Sequence, residues 1–184
     1  MKTIHILSLI LLFLLSSEIS ACGQSQTLKL VFIRHGEKPD DSDNLNCQGL
    51  NRSLFLPAVL YKKFGKPANV YIPALKQGNV TKHTRMLQTI SPFAIKYNLR
   101  LNSAFDVDDA KGIAKALIAE RGTVLIVWEH QGLSPILQYL GIDGSQLKWP
   151  SNDFDSIWIV TFRQGRAMLA RDKENIRPGA GCPF

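Results

Sequence analysis

The chain has 184 residues, of which 45% are hydrophobic and 20% charged, and its formal net charge is +7. The length and apolar content fit one domain with a real core and argue against two domains. The basic charge could favour nucleic acid, anionic lipid or phosphorylated compounds. Aromatic and basic residues do not interleave as in single-strand-binding proteins, so we expect no nucleic-acid partner.

The N-terminus has the pattern of a targeting segment. Basic Lys2 precedes an apolar run over residues 4–15, and small and polar residues follow. This order predicts a secretory signal peptide over residues 1–21. The apolar run is too short for a comfortable membrane span.

The end of this segment, Ile19-Ser20-Ala21-Cys22, resembles a bacterial lipobox. The resemblance implies that Cys22 is lipidated and becomes the mature N-terminus, with residues 22–27 as a tether to the membrane. We therefore expect an exported lipoprotein of the bacterial cell envelope, facing the periplasm or the surface. The alternative is an ordinary signal peptide cleaved near Ala21, with Cys22 incidental.

The next part of the chain alternates a strand with a helix. Leu28–Ile33 is typical of a buried strand, and Gln48–Phe64 has helical spacing, with Pro57 predicting a kink or a late start. A short strand at Asn69–Ile72 and a helix at Thr84–Tyr97 follow. The predicted apolar positions of the first helix are Leu50, Leu54, Leu60 and Tyr61.

The second half continues the alternation. The continuous β-branched run Thr123–Trp128 predicts a buried central strand. Ser134 and Pro135 suit the cap and first turn of a helix over Ser134–Leu140. The remaining predictions are a strand at Leu99–Leu101, a helix at Asp108–Glu120, and a hairpin of Ser156–Phe162 and Arg166–Ala170 around Gln164-Gly165.

This alternation predicts an α/β fold, a three-layer α/β/α domain over residues 28–184 whose mostly parallel sheet has one antiparallel edge. Ligands bind such sheets at the carboxyl ends of the strands. Arg34 and His35 follow the first predicted strand, and Glu129 and His130 follow the strand "TVLIVW". We therefore expect the functional site at this edge.

The stretch "LKLVFIRHGEKPD" delivers three chemically compatible residues at one strand end. The guanidinium of Arg34 has a fork of donors suited to phosphate. A neutral imidazole at His35 can accept a phosphoryl group on nitrogen. Gly36 lets the backbone come close to a ligand.

These residues resemble the signature of the histidine phosphatase superfamily, in its phosphoglycerate mutase-like branch. "RHGE" after an apolar strand is the first block. Further blocks resemble the family in the same order: "LNCQGLNRSLFLPAVL", "YIPALKQGNVTKHTRMLQTI" with Thr81, Arg85 and Thr89, "VLIVWEHQGLSPILQYLG" with His130, and the late strand region "WPSNDFDSIWIVTF". The similarity spans roughly residues 28–169.

The resemblance implies a role for each matching residue. His35 would be the nucleophile, Arg34 and Arg85 would hold the phosphoryl oxygens, and His130 would donate a hydrogen bond to the transferred group. Glu37 would help orient groups of the substrate-binding pocket, although a position facing solvent is equally open. The family needs no metal or cofactor, and phosphoryl transfer requires mainly positioning and charge stabilisation.

The general acid is less clearly marked. Asp106 stands twenty-one residues after Arg85, near where the family places a glutamate. Glu129 is a rival, although strand alternation would point it away from His130. The smallest relatives, those similar to phosphohistidine phosphatases, lack this acid, and this chain could belong with them.

The resemblance thus implies a histidine acid phosphatase-type phosphoric monoester hydrolase. It would hydrolyse phosphomonoesters or phosphoramidates through a phosphohistidine on His35, and we expect a monomer. The substrate could be a phosphorylated small molecule, glycolipid or protein. The alternative is an inactive pseudoenzyme that binds a phosphorylated ligand at the membrane. In an oxidising compartment Cys47 and Cys182 could pair, or they could remain free thiols.

Overall fold

The computed structural model describes residues 27–78 and 80–184. The predicted signal peptide and lipobox lie outside this part of the chain. Six strands are present: β1 Lys29–Arg34, β2 Asn69–Tyr71, β3 Leu101–Asn102, β4 Thr123–Trp128, β5 Ser156–Arg163 and β6 Arg166–Lys173. The α-helices of the described residues are α1 Cys47–Phe64, α2 Thr84–Tyr97, α3 Ala110–Ile118 and α4 His130–Tyr139, and a short 3-10 helix spans Gly144–Gln146.

The strands form one sheet in the order β3-β2-β4-β1-β5-β6. The first four strands in this order are parallel, and β1 pairs with β4 from Lys29↔Thr123 to Arg34↔Trp128. The predicted hairpin is present, because β5 pairs antiparallel with both β1 and β6. The α/β architecture with one antiparallel edge is therefore confirmed.

Successive residues of the central strands enter two separate cores. One core packs side chains such as Phe32 and Ile126 against α3 and α4. The other packs Val31 and Leu125 against α1 and α2. This alternation follows from the period of two in a strand, and it produces the predicted three layers. The sheet and both cores consist of residues within 27–78 and 80–184.

The predicted start of α4 is wrong. The helix begins at His130 with Glu129 in the N-cap position, and Pro135 lies inside it. The hydroxyl of Ser134 donates instead to the carbonyl of Leu147 at 2.6 Å. His130 is therefore the first residue of a helix rather than part of a loop.

The predicted apolar face of α1 is also partly wrong. Leu54 is 51% exposed and Tyr61 is 48% exposed. The residues that the helix buries include polar Arg52 and Ser53 beside Leu56 and Leu60. A buried arginine thus occupies a position that an apolar pattern assigns to solvent.

The C-terminal segment is fastened to α1. Cys47 and Cys182 form a disulfide, which decides between the two states that the sequence left open. The amide of Asn51 donates to the carbonyls of Gly179 and Gly181 at 2.8 and 2.7 Å. Within the described ranges, no helix has the length and apolar character that crossing a membrane requires.

Candidate active site

His35 is placed by the central strand of the sheet. After five buried residues of β1, the His35 backbone N–H donates to the carbonyl of Trp128 at 3.2 Å and extends the ladder with β4. The side chain is 1% exposed. It lies at the carboxyl edge of the parallel strands, where the sequence predicts the site.

The ring of His35 is held in one tautomer. Its Nδ1 atom lies 2.7 Å from the carbonyl oxygen of Gly36. A carbonyl only accepts hydrogen bonds, so Nδ1 carries the proton and Nε2 keeps a free lone pair. Burial lowers the pKa of His35 to about 3; the Gly36 hydrogen bond opposes this shift, and the charges of Arg34 and Arg85 add to it. The imidazole is therefore neutral at physiological pH and can act as a nucleophile.

Arg34 binds to the loop that precedes β5 through hydrogen bonds and a ring contact. Its Nη1 atom donates to the carbonyls of Ser151 and Asp153, and the ring centre of Phe154 lies 4.0 Å from its Cζ atom. Burial lowers the pKa of Arg34 to about 10, opposed by Asp153 and reinforced by Arg85. The guanidinium still carries its charge at pH 7.

Arg85 and Thr89 connect α2 to the loop that follows β1 and His35. Arg85 Nη1 donates to the carbonyl of Ser42 at 3.1 Å and lies 3.6 Å from a carboxylate oxygen of Asp43. One turn later, Thr89 Oγ1 donates to the Arg85 carbonyl at 2.7 Å and accepts the Gly36 N–H at 2.9 Å. Thr89 thus fixes the helix that carries the second arginine against the backbone that follows His35.

His130 supplies a second imidazole at the positive end of α4. Burial lowers its pKa, and the charges of Arg34 and Lys38 lower it further. Its Nδ1 atom is buried. The helix start places this half-buried ring where the charges of Arg34 and Lys38 act on it.

Three buried nitrogens of this site have no hydrogen-bond partner among the described residues: Arg34 Nε, Arg85 Nε and His130 Nδ1. A buried polar group without a partner costs about 1–3 kcal/mol. All three belong to residues for which the sequence predicts contact with a phosphoryl group. The arrangement is therefore suited to an anion with several acceptor oxygens.

Comparison with known proteins adds evidence on the fold. No family model and no curated protein sequence matches the chain. The SixA protein of Agrobacterium tumefaciens matches with a TM-score of 0.60 and 14% identity, covering 81% of this chain and 99% of that one. A protein histidine phosphatase SixA solved with tungstate matches with a TM-score of 0.58 and 18% identity over 80% and 97% of the two chains.

A phosphoserine phosphatase from Entamoeba histolytica, solved with phosphoserine, matches with a TM-score of 0.56 and 14% identity, over 80% of this chain and 97% of that one. This chain has the fold of these three solved proteins. The similarity to solved structures agrees with the three-layer architecture that the alternation of strands and helices predicts. At these identities it concerns the fold alone, so the chemistry must be argued from the residues.

A buried ion cluster lies beside the backbone that follows His35. Both carboxylate oxygens of Glu37 accept from Arg52, at 2.8 to 3.1 Å. Arg52 Nη1 also donates to Glu174 at 2.6 Å and to Asp155 at 3.3 Å. Arg52 holds the Glu37 carboxylate, so Glu37 positions the loop after His35.

Asp106 is not brought together with the other predicted site residues. Its side chain is 52% exposed and lies 3.4 Å from the ammonium of Lys76. Asp109, not Asp106, caps α3, with its carboxylate accepting the Gly112 N–H at 2.8 Å. No described contact joins Asp106 to either histidine.

The sequence did not predict that the loop before β5 would hold Arg34. Ser151 and Asp153 act through backbone carbonyls, which leave no trace in side-chain chemistry. Phe154 carries a weak signal as an aromatic residue in the polar run "PSNDFD" before a strand. Glu174 was missed because it lies far from the motifs in sequence and reaches the site only through Arg52.

Proposed function

We propose that the protein is a phosphatase whose covalent intermediate forms on Nε2 of His35. The observation that carries this proposal is the tautomer of His35, with Nδ1 held by Gly36 and Nε2 free, beside three buried nitrogens without partners. A neutral nucleophile next to two guanidinium groups is the arrangement that metal-independent phosphoryl transfer requires.

In the first step, the Nε2 lone pair attacks phosphorus and the bond from phosphorus to the leaving group breaks. Arg34 and Arg85 stabilise the charge on the phosphoryl oxygens, and His130 donates to one of them. In the second step, a water oxygen attacks phosphorus and the phosphorus–nitrogen bond breaks. The electron pair returns to Nε2, the water proton passes to solvent, and inorganic phosphate is released.

The leaving group is the point on which the substrate class depends. An alkyl alkoxide needs a proton from a nearby acid, whereas an aryl oxide or a protonated phosphoramidate nitrogen does not. Asp106 is exposed and paired with Lys76. This position favours substrates whose leaving group departs without an enzyme acid, and phosphoramidates are the natural class of this kind.

The proposal includes the acid phosphatase type and an envelope location. A His35 pKa near 3 keeps the nucleophile neutral in mildly acidic solution. The lipobox-like sequence ending at Cys22 supports an exported lipoprotein, and the Cys47–Cys182 disulfide agrees with an oxidising compartment.

The test is hydrolysis of an aryl phosphate by the chain from Gly23 onward, in the presence of a chelator, beside His35→Ala. We expect turnover by the parent and none by the variant. Quenching the parent in alkaline denaturant should trap a phosphorylated histidine that is lost on acidification. A folded parent with no turnover and no trapped phosphohistidine would instead support the phospho-ligand-binding pseudoenzyme, which retains the anion pocket without the chemistry.

A further inference from the structure

The chain distributes its charge unevenly. Residues 44–105 contain nine Lys or Arg and no Asp or Glu. Five of the nine contact carboxylates from other parts of the chain: Arg52, Lys63, Lys76, Lys82 and Arg85. Among the described residues, the other four have no carboxylate partner. These four, called the basic face below, are Lys62, Lys66, Lys96 and Arg100.

The basic face lies where α1 and α2 end. The rings of Tyr61 and Tyr97 stack at 4.5 Å and join the two helix ends. Cations in a last helical turn are favoured by the helix dipole, which explains Lys62 and Lys96. Lys66 and Arg100 lie beyond the helices, so the dipole does not explain them.

The N-terminal segment enters β1 at this same end of the parallel strands. Lys66 precedes Ala68, whose N–H donates to the carbonyl of Thr123 at 2.8 Å, and Thr123 pairs with Lys29 at the start of β1. The active site lies at the other end of β1, about 16 Å away for a strand of this length. The basic face and the active site therefore lie at opposite ends of the parallel strands.

Apolar side chains accompany these cations. Ile95 is 81% exposed and Tyr61 is 48% exposed, both in the last turns of their helices. Lysine and arginine side chains around exposed aliphatic and aromatic groups are the composition of surfaces that rest at a membrane interface.

We infer that the basic face docks on an anionic phospholipid bilayer, so that the active site opens away from it. This inference rests on the proposed lipid anchor for its geometry, because the six residues from Cys22 to Thr27 can extend only about 20 Å. A tether that short, entering beside Lys29, turns this end of the parallel strands toward the membrane. Acidic headgroups then supply the negative charge that residues 44–105 lack.

The test uses the chain from Cys22 onward with Cys22→Ser, so that no lipid contributes. Vesicles of phosphatidylcholine alone are compared with vesicles containing one quarter phosphatidylglycerol, by co-sedimentation in 0.1 M salt. A variant with Lys62, Lys66, Lys96 and Arg100 changed to Gln removes the basic face. A matched control changes four exposed cations elsewhere to Gln, with the same loss of charge: Lys111, Lys115, Lys148 and Arg177.

We expect at least tenfold stronger binding of the parent to the anionic vesicles, because each basic side chain near such a surface contributes about fivefold. The basic-face variant should lose more than tenfold, and the control should stay within threefold of the parent. Equal losses in the two variants, or no preference of the parent for anionic vesicles, would overturn the inference.

Hydrolysis of the aryl phosphate separates this inference from the proposed function. Without vesicles, the basic-face variant should match the parent, since its four residues lie far from His35. Binding to vesicles should leave the parent's turnover unchanged, because the pocket faces solution. Turnover that falls on vesicle binding would contradict the orientation, whereas absence of turnover in every sample would count only against the phosphatase proposal.

Discussion

Gly36 and Gly49 pack backbone against backbone behind the proposed nucleophile. A β-carbon on Gly36 would lie 2.9 Å from the carbonyl oxygen of Gly49 and 3.0 Å from its Cα atom. Both neighbours are main-chain atoms of α1, which cannot move aside as a side chain can. The position of His35 therefore depends on the absence of a side chain at Gly36.

Gly36→Ala should lower the turnover of aryl phosphate at least tenfold and destabilise the fold by about 1–3 kcal/mol. The added methyl group must displace either α1 or the loop whose carbonyl holds His35 Nδ1. Steady-state kinetics and urea unfolding measure the two effects. Gly179→Ala is the control, because its β-carbon would meet only Asn51 Nδ2 at 3.9 Å; equal behaviour of the two variants would argue against the close contact.

The pKa of His35 gives a pH prediction. Burial lowers that pKa to about 3, so the Cε1–H resonance of His35, assigned with His35→Ala, should titrate far below the ordinary value of about 6.5. The unfolded chain then binds more protons than the folded chain between these values, and this group makes stability rise with pH from about 3 to 6.5. A midpoint at 6 or above would rule out the neutral buried nucleophile.

The Arg52 cluster should contribute strongly to stability. Arg52→Ala leaves Glu37 and Glu174 buried without their cation, and removing one partner of a buried pair costs about 3–5 kcal/mol. Lys63→Ala is the control, because its pair with Asp172 is partly exposed and such pairs contribute about 0–1 kcal/mol. Urea unfolding of both variants distinguishes them, and a loss for Arg52→Ala no larger than that of the control would contradict a buried cluster.

The disulfide should contribute about 2–5 kcal/mol to the free energy of unfolding, because it closes a loop with a sequence separation of 135. Reductant should lower the urea midpoint of the parent. The double variant Cys47→Ser, Cys182→Ser should unfold at the midpoint of the reduced parent and should not respond to reductant. A parent midpoint that is the same with and without reductant would show that the two thiols are free.

Asp106→Asn tests the predicted general acid. Because Asp106 is exposed and paired with Lys76, we expect hydrolysis of aryl and alkyl phosphates to stay within twofold of the parent. Asp108→Asn, a change at another exposed carboxylate of the same loop, serves as the comparison. A loss of a hundredfold or more that is confined to alkyl phosphates in Asp106→Asn would assign this residue the role of acid.

Sequence patterns predicted the central strands and α2 closely, because continuous apolar runs and a regular apolar stripe are strong signals. The helix after β4 was misplaced because Ser134 and Pro135 form a credible start signal. The backbone begins the helix at His130 instead, and Ser134 contacts Leu147. The local start signal was misleading here, because the helix continues N-terminal to Ser134 as far as His130.

The residues of the site likewise fall into those that the sequence predicted and those that it did not. Arg34, His35, Arg85 and His130 were predictable because each falls in a short motif next to a strand or helix end. The residues that hold these four in place could not be predicted. Glu174 lies 122 positions from Arg52 in the sequence, and Arg34 is held by hydrogen bonds to backbone carbonyls. The buried face of α1 was also mispredicted, because Arg52 is a charged residue on that face and interrupts its apolar pattern.

The bond between Cys47 and Cys182 can form only after the chain has been synthesised through Cys182. The two cysteines have a sequence separation of 135, and the bond persists only where thiols are oxidised. On the proposed export route, a newly made copy lacks this bond in the reducing cytosol and forms it only after transport. Under this proposal, the chain acquires its covalent link between α1 and the C-terminal segment in the compartment where it works.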